Sequence, residues 1–250
     1  MRVVVVTSEH LSAAKSAIID GLECRLVGIA CVPTMPEQTR AWRHIRALAV
    51  YAGPRRLPTM FLHALASRLK RIYRRTSDMA QRTADSRGVA FLAVQTLQDP
   101  KLHAWIRELR CDLVVSLQSH RVPASLLAAP RLGWLNLHHG RIPDYRGVFS
   151  VFWAMSNREP LLYITAHLMG VAFDCGPVIV EAPVSVPEGA SVEAMEKEMW
   201  KRSPEVVLRA VERLEEGSIP NVRWPEKGRY YTYPTWSDVR RALSHGLRVH

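Results

Sequence analysis

Short runs of apolar, β-branched residues alternate with helical patterns along this chain, and this alternation constrains its fold more than any other feature. Residues 3–6 have the length and branching of a buried strand, and a helical pattern at 12–22 leads to a second such strand at 26–32. The same order returns at 90–94, 100–110 and 112–117. It predicts an α/β fold with a doubly wound, mostly parallel sheet, whose sites lie beyond the carboxyl ends of the strands.

Composition is that of a globular protein with a strong positive charge. Of the 250 residues, 48% are hydrophobic and 23% are charged, and no apolar run reaches the roughly 18 residues that could span a bilayer. The 34 basic and 23 acidic residues give a formal net charge of +11, which predicts an anionic partner. The four cysteines form no CxxC pair, so we expect no metal site. The first residues lack a signal-peptide pattern, which predicts a cytoplasmic protein.

Much of the excess charge lies in one segment, residues 33–75, which carries ten arginines and lysines against the single acid Glu37. We expect a basic helical insertion here, with helices near 37–52 and 58–75. The second helix is either a surface helix with one solvated face or a docking surface for phosphate, an acidic protein or an anionic membrane. Its crowded cations are Arg68, Arg71, Arg74 and Arg75.

The C-terminal part of the chain is predicted to complete a single catalytic domain. A helical pattern at 191–216 ends that domain at about residue 217, and residues 218–250 form a tail too short to be an independent domain. We expect the tail to pack on the core. Its aromatic side chains are either core anchors or a stacking surface for a base or sugar. They are Trp224, Tyr230, Tyr231, Tyr233 and Trp236.

The chemistry-bearing residues lie between positions 112 and 181. Asn136 and His138 alternate along a predicted strand, so both point to the same side of the sheet at its carboxyl end. Such a pair can also be purely structural. Asp174 follows in apolar company before a Gly-Pro turn, where a carboxylate needs a partner. His138 is one candidate partner, and an ordinary cap of the turn before Gly176 is the alternative.

These residues resemble the folate-dependent formyltransferases, the enzymes that formylate initiator methionyl-tRNA, glycinamide ribonucleotide and nucleotide-linked amino sugars. The family pattern is Pro-Arg-Leu-Gly before Asn-x-His, then a Pro-x-x-Arg-Gly loop, a Thr and Asp-x-Gly. The matching positions are Pro130, Arg131, Leu132, Gly133, Asn136, His138, Pro143, Arg146, Gly147, Thr165, Asp174 and Gly176. An Asn-x-His combined with a distant Asp-x-Gly is far more specific than either half. The resemblance implies a Rossmann-like catalytic domain over residues 1–217.

The resemblance also implies N10-formyltetrahydrofolate as the formyl donor and a primary amine as the acceptor. An amine that attacks a formyl carbon forms a tetrahedral oxyanion, which Asn136 and protonated His138 would stabilise by hydrogen bonds. Asp174, paired with His138 directly or through a water, would hold the imidazolium and relay the proton. His167 is either a packing residue or a support for this trio.

By the same resemblance, donor and acceptor contacts fall on neighbouring loops. The implied donor-binding residues are Ala90, Phe91, Ser119, His120, Arg121, Val122, Val171, Ala172 and Phe173. The implied acceptor-binding residues are Tyr145, Arg146, Thr165 and His167.

The nature of the acceptor follows from what the sequence lacks. The first strand is followed by Thr7 and Ser8 and not by the Gly-rich phosphate loop of the glycinamide ribonucleotide enzymes. The tRNA enzymes add a C-terminal domain, which the short tail does not supply, so we expect no tRNA partner. A nucleotide-linked amino sugar is therefore the predicted acceptor, and the resemblance allows a homodimer.

Two rival functions stay open. A hydrolase of the same fold would pass the formyl group to water. A non-catalytic protein of this fold would use its basic segment to bind a membrane or nucleic acid in a salt-sensitive way.

Overall fold

A computed structural model of the chain describes residues 1–8, 11–33, 77–217 and 228–250. The predicted insertion at 33–75, with its two helices and the cations Arg68, Arg71, Arg74 and Arg75, lies outside the described residues except for Pro33. Trp224 also lies outside them.

The described residues form a seven-stranded sheet and a small two-stranded sheet. The nine strands are β1 Val3–Ser8, β2 Leu26–Val32, β3 Ala90–Ala93, β4 Leu113–Leu117, β5 Gly133–His138, β6 Arg146–Gly147, β7 Leu161–Leu168, β8 Val178–Ser185 and β9 Tyr230–Tyr231. The large sheet has the order β3-β2-β1-β4-β5-β7-β8, and β6 pairs with β9. The five neighbouring strands β3, β2, β1, β4 and β5 are parallel to one another, whereas β7 and β8 are antiparallel to their neighbours. This arrangement confirms the predicted mostly parallel sheet.

Helices cover both faces of the sheet. In the described residues they are α1 Ala13–Gly21, α2 Ser77–Arg87, α3 Pro100–Glu108, α4 Ala124–Leu127, α5 Ser150–Ser156, α6 Val192–Glu215 and α7 Trp236–Ser244. Ser12, Asp99 and Ser191 cap α1, α3 and α6 with side-chain oxygens that accept a backbone N–H. Among the described helices, none is long and apolar enough to cross a bilayer.

The apolar run at the start of the chain is buried because β1 lies in the middle of the sheet. Val3 and Val5 belong to one hydrophobic cluster and Val4 and Val6 to the other, and all four are fully buried. A strand that contributes to two cores needs apolar residues at consecutive positions, which is why this pattern has a run in place of an alternation.

Strand β5 is the point where the parallel part of the sheet meets its antiparallel edge. It pairs with β4 in parallel and with β7 in antiparallel orientation. The register places Asn136 opposite His167 and His138 opposite Thr165. The polar residues of both strands therefore lie side by side where β5 ends.

The tail returns to the core through β9, which pairs in parallel with β6. The sequence pattern predicts a helix over 148–155 that follows a loop, but α5 begins two residues later. Phe149 adopts a left-handed conformation with φ 58°, and the preceding Arg146–Gly147 is a strand that needs its partner from the tail. That partner is remote in sequence, so local periodicity did not reveal it.

Candidate active site

His138 lies at the carboxyl end of β5 with both ring nitrogens near oxygen atoms. Its Nε2 donates a hydrogen bond of 2.6 Å to the carbonyl oxygen of Tyr145, and its Nδ1 lies 3.6 Å from Oδ1 of Asp174. Because a carbonyl oxygen only accepts, the proton of the neutral ring lies on Nε2. Nδ1 is therefore the atom through which His138 can take up or release a proton, and Asp174 stands beside it.

Asp174 is held by a residue distant in sequence. Its Oδ2 accepts a hydrogen bond of 2.7 Å from the backbone N–H of Gly147, and its own backbone is left-handed with φ 48°. The loop that carries it is closed by the Gly170 N–H, which donates to the Cys175 carbonyl oxygen at 2.7 Å. The side chain is 11% exposed. Its carboxylate thus links the end of β5 to β6. These contacts differ from the alternative in which Asp174 only caps the turn before Gly176.

Asn136 is paired with His167 across the β5–β7 ladder. The Asn136 amide donates to His167 Nε2 at 3.2 Å, since His167 Nδ1 donates to the Leu168 carbonyl oxygen at 3.0 Å. Burial, followed by the nearby His138, lowers the pKa of His167 to about 4, although Asp174 opposes this. His167 is therefore neutral near pH 7 and orients Asn136.

The three predicted catalytic residues lie close together, and two of them, Asn136 and Asp174, also lie next to the neutral His167. Asp174 Oδ1 lies 3.6 Å from His138 Nδ1 and 4.0 Å from His167 Nε2, the same nitrogen that Asn136 contacts. An amide donor, a protonatable imidazole and a carboxylate thus meet in one place. This set of groups can stabilise a developing negative oxygen and move a proton.

Acid is expected to destabilise the fold through His167. The folded state holds this ring neutral down to a pKa of about 4, whereas the unfolded chain protonates it near 6.5. The stability it contributes is fully present above pH 6.5 and is lost as the pH falls toward 4. Over that window, denaturant unfolding of His167→Gln should depend on pH less steeply than wild type, by up to about 1.4 kcal/mol per pH unit. His245→Gln, at an exposed position, is the control, and equal slopes for wild type and His167→Gln would contradict the prediction.

His139, next to His138, points to a different neighbour. Its Nε2 donates to the Ser203 hydroxyl at 2.9 Å, since that hydroxyl donates to the Met199 carbonyl oxygen. Burial lowers the pKa of His139 to about 3. Consecutive residues of an extended chain point to opposite faces, so His139, which follows β5, contacts α6, whereas His138 faces Asp174.

The structure places the predicted acceptor-binding residues differently from the prediction. Thr165 is fully buried and donates to the Gly140 carbonyl oxygen at 2.8 Å, and His167 is 1% exposed. The buried Tyr145 donates from its hydroxyl to Glu159 at 2.8 Å, and burial raises its pKa. Arg146 donates to Cys175 Sγ at 2.8 Å. The side chains of Thr165, Tyr145 and His167 therefore support the site from behind and are not placed to contact an acceptor.

The two loops predicted to hold the donor meet at the segment that leads to Asp174. Nε of Arg121 donates to the Val171 carbonyl oxygen at 3.3 Å, which joins the loop after β4 to the loop after β7. Val171 exposes 59% of its surface, whereas Val122 is buried. The other members of the two loops are Ser119, His120, Ala172 and Phe173. An exposed cation, an exposed apolar side chain and loop backbone thus line one rim.

Ala90 and Phe91 lie outside this site. They begin β3, the edge strand of the sheet, and pair there with Gly28 and Ile29 of β2. Three strands separate β3 from β5, and at about 4.8 Å per strand the distance is close to 20 Å. The active groups also lie at the opposite, carboxyl ends of the parallel strands. These two residues therefore lie at the far edge of the sheet from Asn136, His138 and Asp174.

A cavity of about 180 Å³ lies behind the loop that follows His138. The residues that line it include Gly140, Arg141, Tyr145, Glu159 and Tyr163. Asn136, His138 and Asp174 do not line it. In the described part of the chain, no group of three His, Cys, Asp or Glu side chains is placed to hold a metal ion.

Sequence reasoning missed two contacts of this site, the Gly147 amide on Asp174 and the Tyr145 carbonyl oxygen on His138. Both are backbone groups, which leave no signature in residue identity. The run of strand-favouring residues from Tyr230 to Tyr233 was the available signal for a tail strand beside them.

Comparison with known families matches residues 64–211, more than half of the chain, to the family described as formyl transferase. The methionyl-tRNA formyltransferase of Geobacter metallireducens is 29% identical over 137 residues, which cover 54% of this chain and 44% of that protein. The corresponding protein of Thermotoga maritima is 25% identical over 137 residues, with the same coverage. The chain thus spans less than half of the length of these curated relatives.

Solved structures share the fold at low sequence identity. A sugar N-formyltransferase from Shewanella sp. FDAARGOS_354 aligns with a TM-score of 0.59 and 17% identity, covering 98% of this chain and 89% of that one. Glycinamide ribonucleotide transformylase 1 from Symbiobacterium toebii aligns with a TM-score of 0.60 and 18% identity, covering 87% and 88%. A formyltetrahydrofolate deformylase from Pseudomonas syringae aligns with a TM-score of 0.58 and 16% identity, covering 87% of this chain and 62% of that one.

Proposed function

The chain belongs to the formyl transferase family, and on this premise we propose that it transfers the formyl group of N10-formyltetrahydrofolate to a primary amine of a nucleotide-linked amino sugar. The observation that carries the proposal is the meeting of Asn136, His138 and Asp174 at the end of β5. Formyl transfer needs a donor toward a developing negative oxygen and a route for a proton, and these three side chains supply both.

The rim beside the trio fits a folate donor, which is the donor that this family uses. An aromatic ring system needs an apolar surface and backbone hydrogen bonds, which the loops of Val171 and Arg121 offer. The carboxylates of folate need cations, and Arg121 is exposed at this rim. Bound there, the folate would supply the formyl group.

In this proposal, Asn136, His138 and Asp174 each have a separate role in the reaction. Asn136 donates an amide hydrogen toward the oxygen on which negative charge develops, and neutral His167 keeps that amide in position. His138 takes up a proton at Nδ1, because its Nε2 is committed to the Tyr145 carbonyl oxygen. The Asp174 carboxylate beside Nδ1 stabilises the resulting imidazolium, which returns the proton to the donor nitrogen as the bond between that nitrogen and the formyl carbon breaks.

Two observations favour an amino sugar as the acceptor. The sugar N-formyltransferase from Shewanella aligns over 98% of this chain, and a Mycobacterium tuberculosis protein described as a likely sugar N-formyltransferase aligns over 97%. The glycinamide ribonucleotide enzymes align over 85% to 87%. In addition, Thr7 and Ser8 end β1 without the glycines that a phosphate loop needs. The acceptor is therefore proposed to be an amine on a sugar.

The purified protein is expected to bind 5-formyltetrahydrofolate, a stable donor analogue, and to formylate at least one nucleotide-linked amino sugar. Calorimetry measures the first, and mass spectrometry of a panel of such sugars measures the second. Methionyl-tRNA and glycinamide ribonucleotide complete the panel, and formate release is followed in every reaction. His138→Gln is the inactive comparison.

Each outcome separates the proposal from its rivals. Formylated sugar without excess formate supports the proposal. Formylated tRNA or formylated glycinamide ribonucleotide would show that this molecule, and not the sugar, is the acceptor. Formate as the main product indicates a hydrolase. Salt-sensitive binding to anionic vesicles that survives His138→Gln, with no turnover, indicates the non-catalytic function.

A further inference from the structure

The short strand β6 and the residue before it contact two catalytic side chains through backbone atoms. The Tyr145 carbonyl oxygen accepts from His138 Nε2 at 2.6 Å, and the Gly147 N–H donates to Asp174 Oδ2 at 2.7 Å. These two bonds fix the ring of His138 and one oxygen of Asp174. Any shift of residues 145–147 therefore changes the separation between His138 Nδ1 and Asp174 Oδ1.

This strand has its partner in the C-terminal tail. The Arg146 N–H donates to the Arg229 carbonyl oxygen, and the Val148 N–H donates to the Tyr231 carbonyl oxygen, both at 3.1 Å. Gly147 has φ 98°, and a Cβ placed on it would lie 2.0 Å from the Tyr231 carbonyl oxygen. The close approach of the two strands thus requires glycine at the position that holds Asp174.

The side chain of Tyr231 anchors this pairing. Its ring stacks on Tyr145 at 5.4 Å and on Trp153 of α5 at 5.1 Å between centroids. Asn157, which ends α5, donates to the hydroxyls of Tyr145 and Tyr231. One tail residue therefore contacts both the start of the 145–147 segment and the helix that follows it.

A second connection runs through Arg146. Its guanidinium donates to Cys175 Sγ at 2.8 Å, next to Asp174, and to the Gly228 carbonyl oxygen at 3.4 Å. The tail, the 145–147 segment and the Asp174 loop are thus linked to one another by side-chain and backbone contacts.

We propose that Tyr231 is a positioning residue, which acts through residues 145–147 to set the geometry of His138 and Asp174. The proposal rests on the proposed function, because it assigns the effect to the groups that move the proton. It assigns the tail a part in catalysis that goes beyond packing. Rate is sensitive to displacements of about 1 Å in such groups.

The test compares Tyr231→Ala with Tyr231→Phe in the full chain. The alanine variant loses the ring stacking, and we expect kcat to fall about tenfold to a hundredfold while KM for the donor changes less than about threefold. The phenylalanine variant keeps the ring and should restore kcat to within about threefold of wild type. Tyr230→Ala, on the same strand and half exposed, is the matched control and should keep its rate.

An NMR readout tests positioning without relying on activity. In Tyr231→Ala the signals of the His138 Nε2–H proton and of the Gly147 amide should shift or broaden, while those of the β1–β4 core stay in place. Tyr231→Phe and Tyr230→Ala should leave both signals near their wild-type positions. Should Tyr231→Ala fail to fold, Tyr231→Leu, which keeps apolar volume without a ring, takes its place in both measurements.

The outcomes are distinct. A normal kcat in the folded alanine or leucine variant, or unchanged His138 and Gly147 signals, would overturn the proposal. A fall in kcat that Phe does not rescue would also overturn it. If wild type has no formyl transfer activity but the two signals shift as expected, the proposed function fails while the positioning by Tyr231 stands.

Discussion

Asp174→Asn is expected to lower kcat for formyl transfer by about a thousandfold or more and to leave the fold intact. The amide oxygen can still accept from the Gly147 N–H, and asparagine tolerates the left-handed backbone at φ 48°. Its NH₂ group, however, would donate to Nδ1 of His138 and hold the ring neutral. Loss of a buried aspartate that stabilises a catalytic imidazolium lowers kcat by about 10⁴ in a well-studied case.

The measurement is steady-state kinetics with the acceptor found in the panel, together with thermal unfolding of each variant. Asp144→Asn is the matched control, because Asp144 is an aspartate on the loop between β5 and β6, close in sequence to Gly147, and 55% of its side chain is exposed. It should retain a rate within about threefold of wild type, as exposed ion pairs contribute little. A near-normal rate for Asp174→Asn would remove Asp174 from the mechanism.

Asn136→Ala is expected to lower kcat by about 10²- to 10³-fold with little change in KM. The substitution deletes the amide that faces the developing charge, and one such donor is worth about 3–4 kcal/mol of barrier. An interaction made mainly in the transition state lowers kcat and kcat/KM together. Loss of the hydrogen bond to His167 should cost only about 1 kcal/mol of stability.

A second substitution separates the donor role from simple disturbance of the site. Asn136→Asp keeps the side-chain shape but removes both amide hydrogens, so it should be at least as inactive as the alanine variant. Gln98→Ala, which removes an exposed amide elsewhere, should behave as wild type. An active Asn136→Asp enzyme would show that this position donates no hydrogen bond in the transition state.

The sequence was sufficient to predict the family, the order of the buried strands along the chain and the long helix near the C-terminus. The apolar run of β1 and the capped helix α6 have strong local patterns, and Ser191 marks the start of α6 as predicted. The match over residues 64–211 confirms the family resemblance. The position of Asn136 and His138 on the same side of β5 was predictable because a strand alternates its side chains.

The residues expected to contact folate lie in two separate parts of the fold. The loops of Arg121 and Val171 meet as the resemblance implied, but Ala90 and Phe91 lie on the far edge strand. The order of strands in a doubly wound sheet differs from their order along the chain. Strands β3 and β4 follow one another in the sequence, but β2 and β1 lie between them in the sheet. Similarly, the depth of Thr165 and His167 depends on the antiparallel pairing of β5 with β7.

By itself, the sequence determined which residue types could carry the chemistry and on which elements they stand. Only the tertiary structure decided how they are held: Nε2 of His138 on the Tyr145 carbonyl oxygen and Asp174 on the Gly147 amide, with β9 of the tail paired beside them. The physical reason is that periodicity reports burial along one element, whereas these contacts join backbone groups of segments far apart in the chain. Such groups are identical in every residue except proline, so no pattern of side chains could specify their partners.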